Sequence, residues 1–330
     1  MMGIDIIRRL KGIFGLPEQV RYLVRLCEDI PSLREKEGVL QTKIALVDRR
    51  VELLQEAVGR IELRQLDRVE KMKDSEFRVF SQWGEDGIIQ FLTRNVDISK
   101  KVFVEFGVDQ YDIESNTRFL LAKDNWAGLI IDRSKEAIEK IKQSPTYWLY
   151  NLKAVEAFIT KDNINEILEE NGVTGEIGLL SIDVDGNDYW IWEAINVVSP
   201  IIVIIEYNYR FGVDHAVTIP YDEGFDKNAV HKSGLYFGAS LKALCQLGQR
   251  KGYSFVGCNS NGVNAFFVRK DKLKYPLKEL SPEEGFVRGS FSEKGDRNDK
   301  LLPEEEVRLL KSLDLPLVWL DAENSNNQNV

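Results

Sequence analysis

Two hydrophobic periods divide the chain. Between residues 33 and 73 apolar side chains recur at alternating steps of three and four. Leu33, Leu40, Val47, Leu54 and Ile61 form one column and Ile44, Val51 and Val58 a second. That spacing describes a coiled-coil seam, with the Ile44 column at a and the Leu-rich column at d. Lys43 at g then faces Asp48 at e of a parallel partner, which suits a homo-oligomer self-associating through residues 33–73. Glu37, Gln65 and Arg68 also fall on seam positions, which leaves about three to four well-formed heptads. The competing reading is an amphipathic helix packed on its own domain. Upstream, residues 4–29 predict one or two short helices broken near Gly15-Leu16-Pro17. Ile6, Ile7, Leu10, Ile13 and Phe14 form their apolar stripe. Packing against the rest of the chain is expected of it, with membrane-surface contact as the alternative.

After about residue 76 the period changes. KVFVEFG (101–107), AGLIID (127–132), TYWLYNL (146–152), EIGLLSID (176–183) and PIIVIIEYN (200–208) are short apolar runs rich in β-branched residues. Between them lie helical stretches near 113–123, 134–143, 156–171 and 188–197. This alternation predicts a mostly parallel α/β sheet covered on both faces. A helix near 238–250 precedes YSFVGCN (253–259) and GVNAFFVRK (262–270), whose short connection signals an antiparallel hairpin at one edge.

Composition narrows the function classes. Over 330 residues, 44 Lys and Arg against 53 Asp and Glu give a formal charge of −9, which argues against a general nucleic-acid binder. Three scattered cysteines, Cys27, Cys245 and Cys258, make no disulfide framework or zinc spacing and fit a reducing, cytoplasmic setting. No apolar run is long enough for a transmembrane segment, and no secretory signal is legible.

Ligands of open α/β sheets bind beyond the carboxyl ends of the strands. Those ends carry Glu105-Phe106-Gly107 and Asp109, then Asp132, then Asp183-Val184-Asp185-Gly186-Asn187-Asp188, then Glu206-Tyr207-Asn208. Gly107 lets the chain turn close past a ligand, and Asp132 is placed to accept hydrogen bonds from ribose hydroxyls. Neither a GxGxxG fingerprint nor a phosphate loop is present. A cofactor without phosphates is therefore expected over NAD or ATP, and S-adenosylmethionine fits. Helix capping or loop bracing is the structural alternative for Glu105 and Asp132.

Ser81-Gln82-Trp83-Gly84-Glu85-Asp86, VEFG (104–107), Ser115-Asn116-Thr117, GLIID (128–132) and LLSIDVDGNDYWIWEAI (179–195), in this order, resemble the FkbM-type S-adenosylmethionine-dependent methyltransferases over roughly residues 79–270. The resemblance implies a Rossmann-like methyltransferase sheet of seven strands, the last antiparallel, and methylation of hydroxyls, often on sugars. It also implies cofactor roles for Glu105, Gly107 and Asp109 in the first loop, for Asp132 at the ribose, and for Asp183 beside the transfer centre. Gln82, Glu85 and Asp86 match the family's entrance segment, and Asn116 and Thr117 follow the first loop. Asn151, near the end of the third run, completes the cofactor-binding set. One departure stands out: Gln110-Tyr111 occupy the place where the family often has a second glycine.

Methyl transfer is an in-line displacement for which the protein aligns the nucleophile and accepts its proton. A sugar hydroxyl needs a base or a metal beside it. Asp183, Asp185, Glu206, Asn208, His215 and His231 are the candidates, and Asp183, Asp185 and Glu206 also suit magnesium or manganese. The same acids suit helix capping, with Asn187 or Asp188 at the N-cap. The long polar and aromatic segment 209–236 is expected to wall the site, with Tyr207, Tyr209, Tyr221 and Tyr236 for a polyhydroxylated substrate.

Beyond Lys270 the chain turns charged. Pro303 starts a helix docked by Leu309, Leu310 and Leu313, and NSNNQNV is expected to be disordered. The organisation expected is an N-terminal arm (1–75), a methyltransferase domain (76–275) and a C-terminal extension (276–330). The readings that compete with an O-methyltransferase acting on a sugar, glycan or glycosylated intermediate are a non-catalytic scaffold with a vestigial domain and an NAD-dependent nucleotide-sugar enzyme.

Overall fold

The computed structural model describes residues 18–108, 111–289 and 301–321. The Ile6–Phe14 stripe, the break near Gly15-Leu16-Pro17, Asp109 and the NSNNQNV run lie outside the described residues. The chain divides into two units, residues 1–57 and 58–330.

One helix, Glu18–Glu62, runs unbroken through Pro31 for 45 residues. This corrects the expected arm: a single helix is present, no coiled coil is evident within the one chain, and the helix stops at Glu62 rather than near residue 73. It stops because the next apolar residues turn inward. Leu63 and Leu66 are buried in a cluster with Val79, Phe80 and Phe119, and short 3-10 turns at Leu66–Arg68 and Met72–Ser75 follow. Gly59 permits that approach, since a Cβ there would lie 2.5 Å from Val79 Cγ2 and 2.8 Å from the Phe119 ring.

Among its described residues the second unit has nine strands in chain order: β1 (Val102–Phe106), β2 (Ala127–Asp132), β3 (Leu152–Glu156), β4 (Gly175–Ile182), β5 (Val198–Glu206), β6 (Val217–Thr218), β7 (Tyr253–Cys258), β8 (Asn264–Arg269) and β9 (Val318–Trp319). Seven of them form one mixed sheet in the order β3-β2-β1-β4-β5-β8-β7. β1 to β5 are parallel, and β8 runs antiparallel to both β5 and β7. The expected seven-stranded sheet with its last strand reversed is therefore present. Both faces are covered, which is why the central strands are apolar throughout. Val203 and Ile205 face a cluster with Trp192, Leu244 and Phe267, while Ile202 and Ile204 face Ile88, Phe103 and Ile130.

The sequence places a strand over TYWLYNL, and the structure corrects it. Ser144 caps a short helix, Pro145–Leu149, by accepting a hydrogen bond from the Tyr147 N–H. Trp148 and Leu149 on that helix are 78% and 60% exposed, so its bulky residues face water and not a sheet. The third strand follows at Leu152–Glu156.

The 209–236 segment is ordered, with a 3-10 turn at Tyr209–Phe211, strand β6 and a short helix at Lys227–Val230. The C-terminal helix Pro303–Ser312 buries Leu310 beside Ile219, Leu235 and Tyr236. Its Glu306 carboxylate meets the buried Arg210 guanidinium at 2.7 Å and accepts from the Tyr209 hydroxyl. β9 then pairs with β6, so this extension braces the 209–236 segment. Among the described residues no helix is long and apolar enough to cross a membrane.

Candidate active site

β1 has β2 on one side and β4 on the other. The chain therefore reverses its direction of growth there, and the two loops diverge to open a crevice at the carboxyl edge. A cavity of about 570 Å³ occupies this position. Gly107, Asp132, Arg133 and Ser134 line it together with Ala157, Phe158 and Ile159 from beyond β3. Asp183, Asp185, Asn187 and Glu206 line it together with Gln82, Trp83, Phe225, Lys227 and Val263.

Gly107 sits at φ +69°, and a Cβ there would lie 1.6 Å from the Asp183 carbonyl oxygen. Only glycine lets β1 pass this close to the end of β4. Asp132 organises the neighbouring turn, with its carboxylate accepting from the Val108 N–H at 2.8 Å and the Ser134 N–H at 2.6 Å.

Ligand oxygens of Asp183, Asp185 and Glu206 lie within 4.8 Å of one another. Asp185 adopts a left-handed backbone (φ +56°), and its carboxylate meets the Lys227 ammonium at 2.6 Å. Lys227 also lies 5.0 Å from the Phe237 ring centroid. Asn187 donates its amide to the Asp222 carbonyl at 2.8 Å, while its buried Oδ1 finds no protein partner.

Several sequence candidates serve the frame and do not line this cavity. Glu105 is fully enclosed and accepts from the Ser115 and Thr117 hydroxyls and the Asn116 N–H. Burial pushes its carboxyl above the usual range. Asn116 in turn donates to the Ser181 hydroxyl. These residues pin the loop after β1. Glu85 accepts from the Trp83 N–H, Asn259 and Asn264. Asp86 gathers the Val79, Phe80 and Ser81 N–H groups on one oxygen, and burial raises its carboxyl to about 6. The entrance segment is thus folded around two acids, and only Gln82 and Trp83 reach the cavity. Asp188 accepts from the Val184 and Gly186 N–H groups, and burial raises it to about 6 as well.

Asn151 precedes β3, and its carbonyl accepts from Gly128 N–H at the start of β2. It therefore stands at the amino edge of the sheet, opposite the cavity. Asn208 is buried and clamps the Leu235 and Phe237 carbonyls. His215 lines a different cavity of about 740 Å³, stacked edge-on against Trp319. His231 bonds Ser233 and lies off the crevice.

The sequence reading missed Trp83, Arg133, Ser134, Phe158, Ile159, Phe225 and Lys227 as lining residues. Phe158 and Ile159 become legible once β3 is set at Leu152–Glu156. Lys227 has no local signal, since it reaches Asp185 across 42 positions of sequence.

No family model and no curated protein matches this sequence. Among solved structures the chain is similar to an S-adenosylmethionine-dependent methyltransferase from Clostridium acetobutylicum, at 10% identity, over 57% of this chain and 90% of that one, with a TM-score of 0.36. PKMT2 from Rickettsia typhi is similar at 12% identity, over 62% of this chain and 56% of that one, with a TM-score of 0.37. An O-methyltransferase family protein from Burkholderia thailandensis is similar at 10% identity, over 68% and 71%, with a TM-score of 0.35. Likeness at this level carries no residue-by-residue correspondence.

Proposed function

We propose that the chain is an S-adenosylmethionine-dependent O-methyltransferase acting on a hydroxyl of a sugar, glycan or glycosylated intermediate. The observation that carries this reading is one crevice lined both by Gly107, Asp132 and Ser134 and by the converging Asp183, Asp185 and Glu206 carboxylates. The first group fits a nucleoside, because Asp132 already orients two backbone N–H groups and has lone pairs to offer ribose hydroxyls. S-adenosylmethionine, when bound, supplies the methyl group.

The chain's own residues do the rest. Trp83 and Phe225 give apolar faces for a sugar ring to stack on. Asp183 and Glu206 accept hydrogen bonds from acceptor hydroxyls. Glu206, 9% exposed at the end of β5, holds the proton released from the reacting oxygen. The three carboxylates have the all-oxygen donor set that suits magnesium or manganese. A metal there would hold the acceptor oxygens and favour the alkoxide. His215 and Asn208 take no part in this reading, given their positions. It places the protein in the cytoplasm and takes it as a homo-oligomer associating through the helical part of the 33–73 arm, which ends at Glu62.

Calorimetric titration with S-adenosylmethionine and S-adenosylhomocysteine, with and without Mg²⁺ or Mn²⁺, tests the proposal. Micromolar binding is expected. A folded protein that binds neither ligand leaves the scaffold reading ahead, and copurified NAD fluorescence would favour the nucleotide-sugar reading.

A further inference from the structure

Among the described residues, the helix Glu18–Glu62 exposes a long apolar face. Leu40, Ile44, Val47, Val51, Leu54, Val58 and Ile61 are each 48–66% exposed. They fall on consecutive a and d positions of one unbroken helix. At 1.5 Å per residue this stripe is about 32 Å long, far more than isolated surface residues explain.

The charges beside it decide the occupant. The g column reads Lys36, Lys43, Arg50 and Ala57, and the e column reads Gln41, Asp48, Gln55 and Glu62. In an antiparallel pair g faces g, which sets lysine and arginine against one another. In a parallel, in-register pair g faces the e of the following heptad on the partner. Lys36 then meets Gln41, Lys43 meets Asp48, Arg50 meets Gln55 and Ala57 meets Glu62. No like charges oppose, and one ion pair forms. The a column is β-branched throughout (Ile44, Val51, Val58), and d alternates Leu40 and Leu54 with Val47 and Ile61. β-Branched a residues with leucine at d make the two-stranded pattern, and the Leu40 and Leu54 layers carry it.

We propose that the face spanning Leu40 to Ile61 docks a second copy of this chain as a parallel, in-register, two-stranded coiled coil. This rests on the self-association reading above and fixes its direction and number. Parallel pairing brings the Glu62 ends of both copies together. Two catalytic domains then follow from the same end of the coil, and an acceptor carrying repeated sites gains effective concentration at both.

Measurements on the full chain separate this from plain self-association. Light scattering should give twice the 37.9 kDa chain mass. Val51→Asp should return the monomer mass with the thermal unfolding of the catalytic unit unchanged. In a Cys27→Ser background, Leu40→Cys and Ile61→Cys should each form a covalent dimer alone under mild oxidation. The remaining cysteines interfere little, with Cys258 buried and Cys245 part-buried. Lys43→Glu should weaken dimerisation roughly tenfold, and adding Asp48→Lys should restore it. A monomeric wild type overturns both readings. A mass of three or more chains, or a covalent dimer only when the Leu40→Cys and Ile61→Cys proteins are mixed, overturns the parallel two-stranded pair and leaves self-association standing.

Discussion

The Lys227 ammonium lies 2.6 Å from the Asp185 carboxylate, although the two are 42 positions apart in sequence. This contact draws the 225–230 segment over the crevice, where Phe225 packs against Gly186. It also gives one of three converging carboxylates a resident counter-ion. A divalent cation ligated by Asp185 competes with that ammonium. The pair is partly solvated, with side-chain exposures of 20% and 56%, so its strength is modest. Lys227→Met should therefore tighten Mn²⁺ binding about three- to tenfold, a gain of about 1 kcal/mol. Asp185→Asn should weaken it. Paramagnetic titration with Mn²⁺ alone reads both variants, and unchanged affinity in Lys227→Met would show that the two cations do not share Asp185.

Asp132 tests the cofactor side. Asp132→Ala removes acceptors for the Val108 and Ser134 N–H groups together with the proposed ribose contact. Each charge-assisted hydrogen bond to ligand is worth about 1.5–3 kcal/mol, so a 10–100-fold loss of S-adenosylhomocysteine affinity is expected by calorimetry. Asp132→Asn keeps one acceptor and should fall between.

Glu206 tests the chemistry. Glu206→Gln keeps the shape of the side chain and removes its ability to take a proton. S-adenosylhomocysteine affinity should stay within about twofold of wild type, while kcat falls about 10²–10⁴-fold once an acceptor is in hand. Equal losses in binding and turnover would assign Glu206 to cofactor binding instead.

The sheet was legible because its buried strands carry unbroken β-branched runs. Ile201–Ile205 reads as a strand on burial alone, and Asn264–Arg269 is announced by its hairpin. The third strand was not legible. LKAVE is short and mixed, whereas the preceding TYWLYNL holds stronger β-formers that Ser144 and Pro145 commit to a helix. That misplacement hid Phe158 and Ile159, which follow the true third strand and line the cavity. Site acids were legible as a set but not by role. Glu105 and Glu206 both end strands, yet Glu105 is enclosed by Ser115, Asn116 and Thr117 and braces a loop, while Glu206 faces the cavity. Only three-dimensional partners separate the two. Lys227 and Phe225 belong to a polar segment without periodicity, so no pattern in sequence could single them out.

Asp86 sets a pH dependence whose sign is unusual for a carboxylate. Burial raises it from 3.8 to about 6, so between roughly pH 4 and 6 the native state holds a proton that the unfolded chain has released. Stability contributed by the protonated form is present below pH 4 and lost as pH rises through about 6, by up to about 3 kcal/mol. Asp188, raised to about 6, acts in the same direction. Asp86→Asn mimics the protonated acid, because the amide oxygen keeps the Val79, Phe80 and Ser81 bonds. Urea unfolding at pH 4.5 and 7.5 should show a smaller fall in stability with rising pH for the variant. An equal fall in both proteins would place the titration elsewhere.

Gly107 couples the fold to the site. A methyl group there would meet the Asp183 carbonyl oxygen at 1.6 Å, in backbone that already disfavours an L side chain. Gly107→Ala must therefore push the end of β1 away from the end of β4, where Asp183 enters the cavity. The strain of a non-glycine residue in this conformation and the forced separation together should cost about 2–4 kcal/mol, read as a lower urea midpoint. Because the displaced segment carries Val108 toward Asp132, cofactor affinity should fall in parallel with stability, even at temperatures where the variant stays fully folded. A variant with wild-type affinity and a lowered midpoint would mean that the close β1–β4 passage supports the fold alone, and would move the cofactor-binding surface away from this loop.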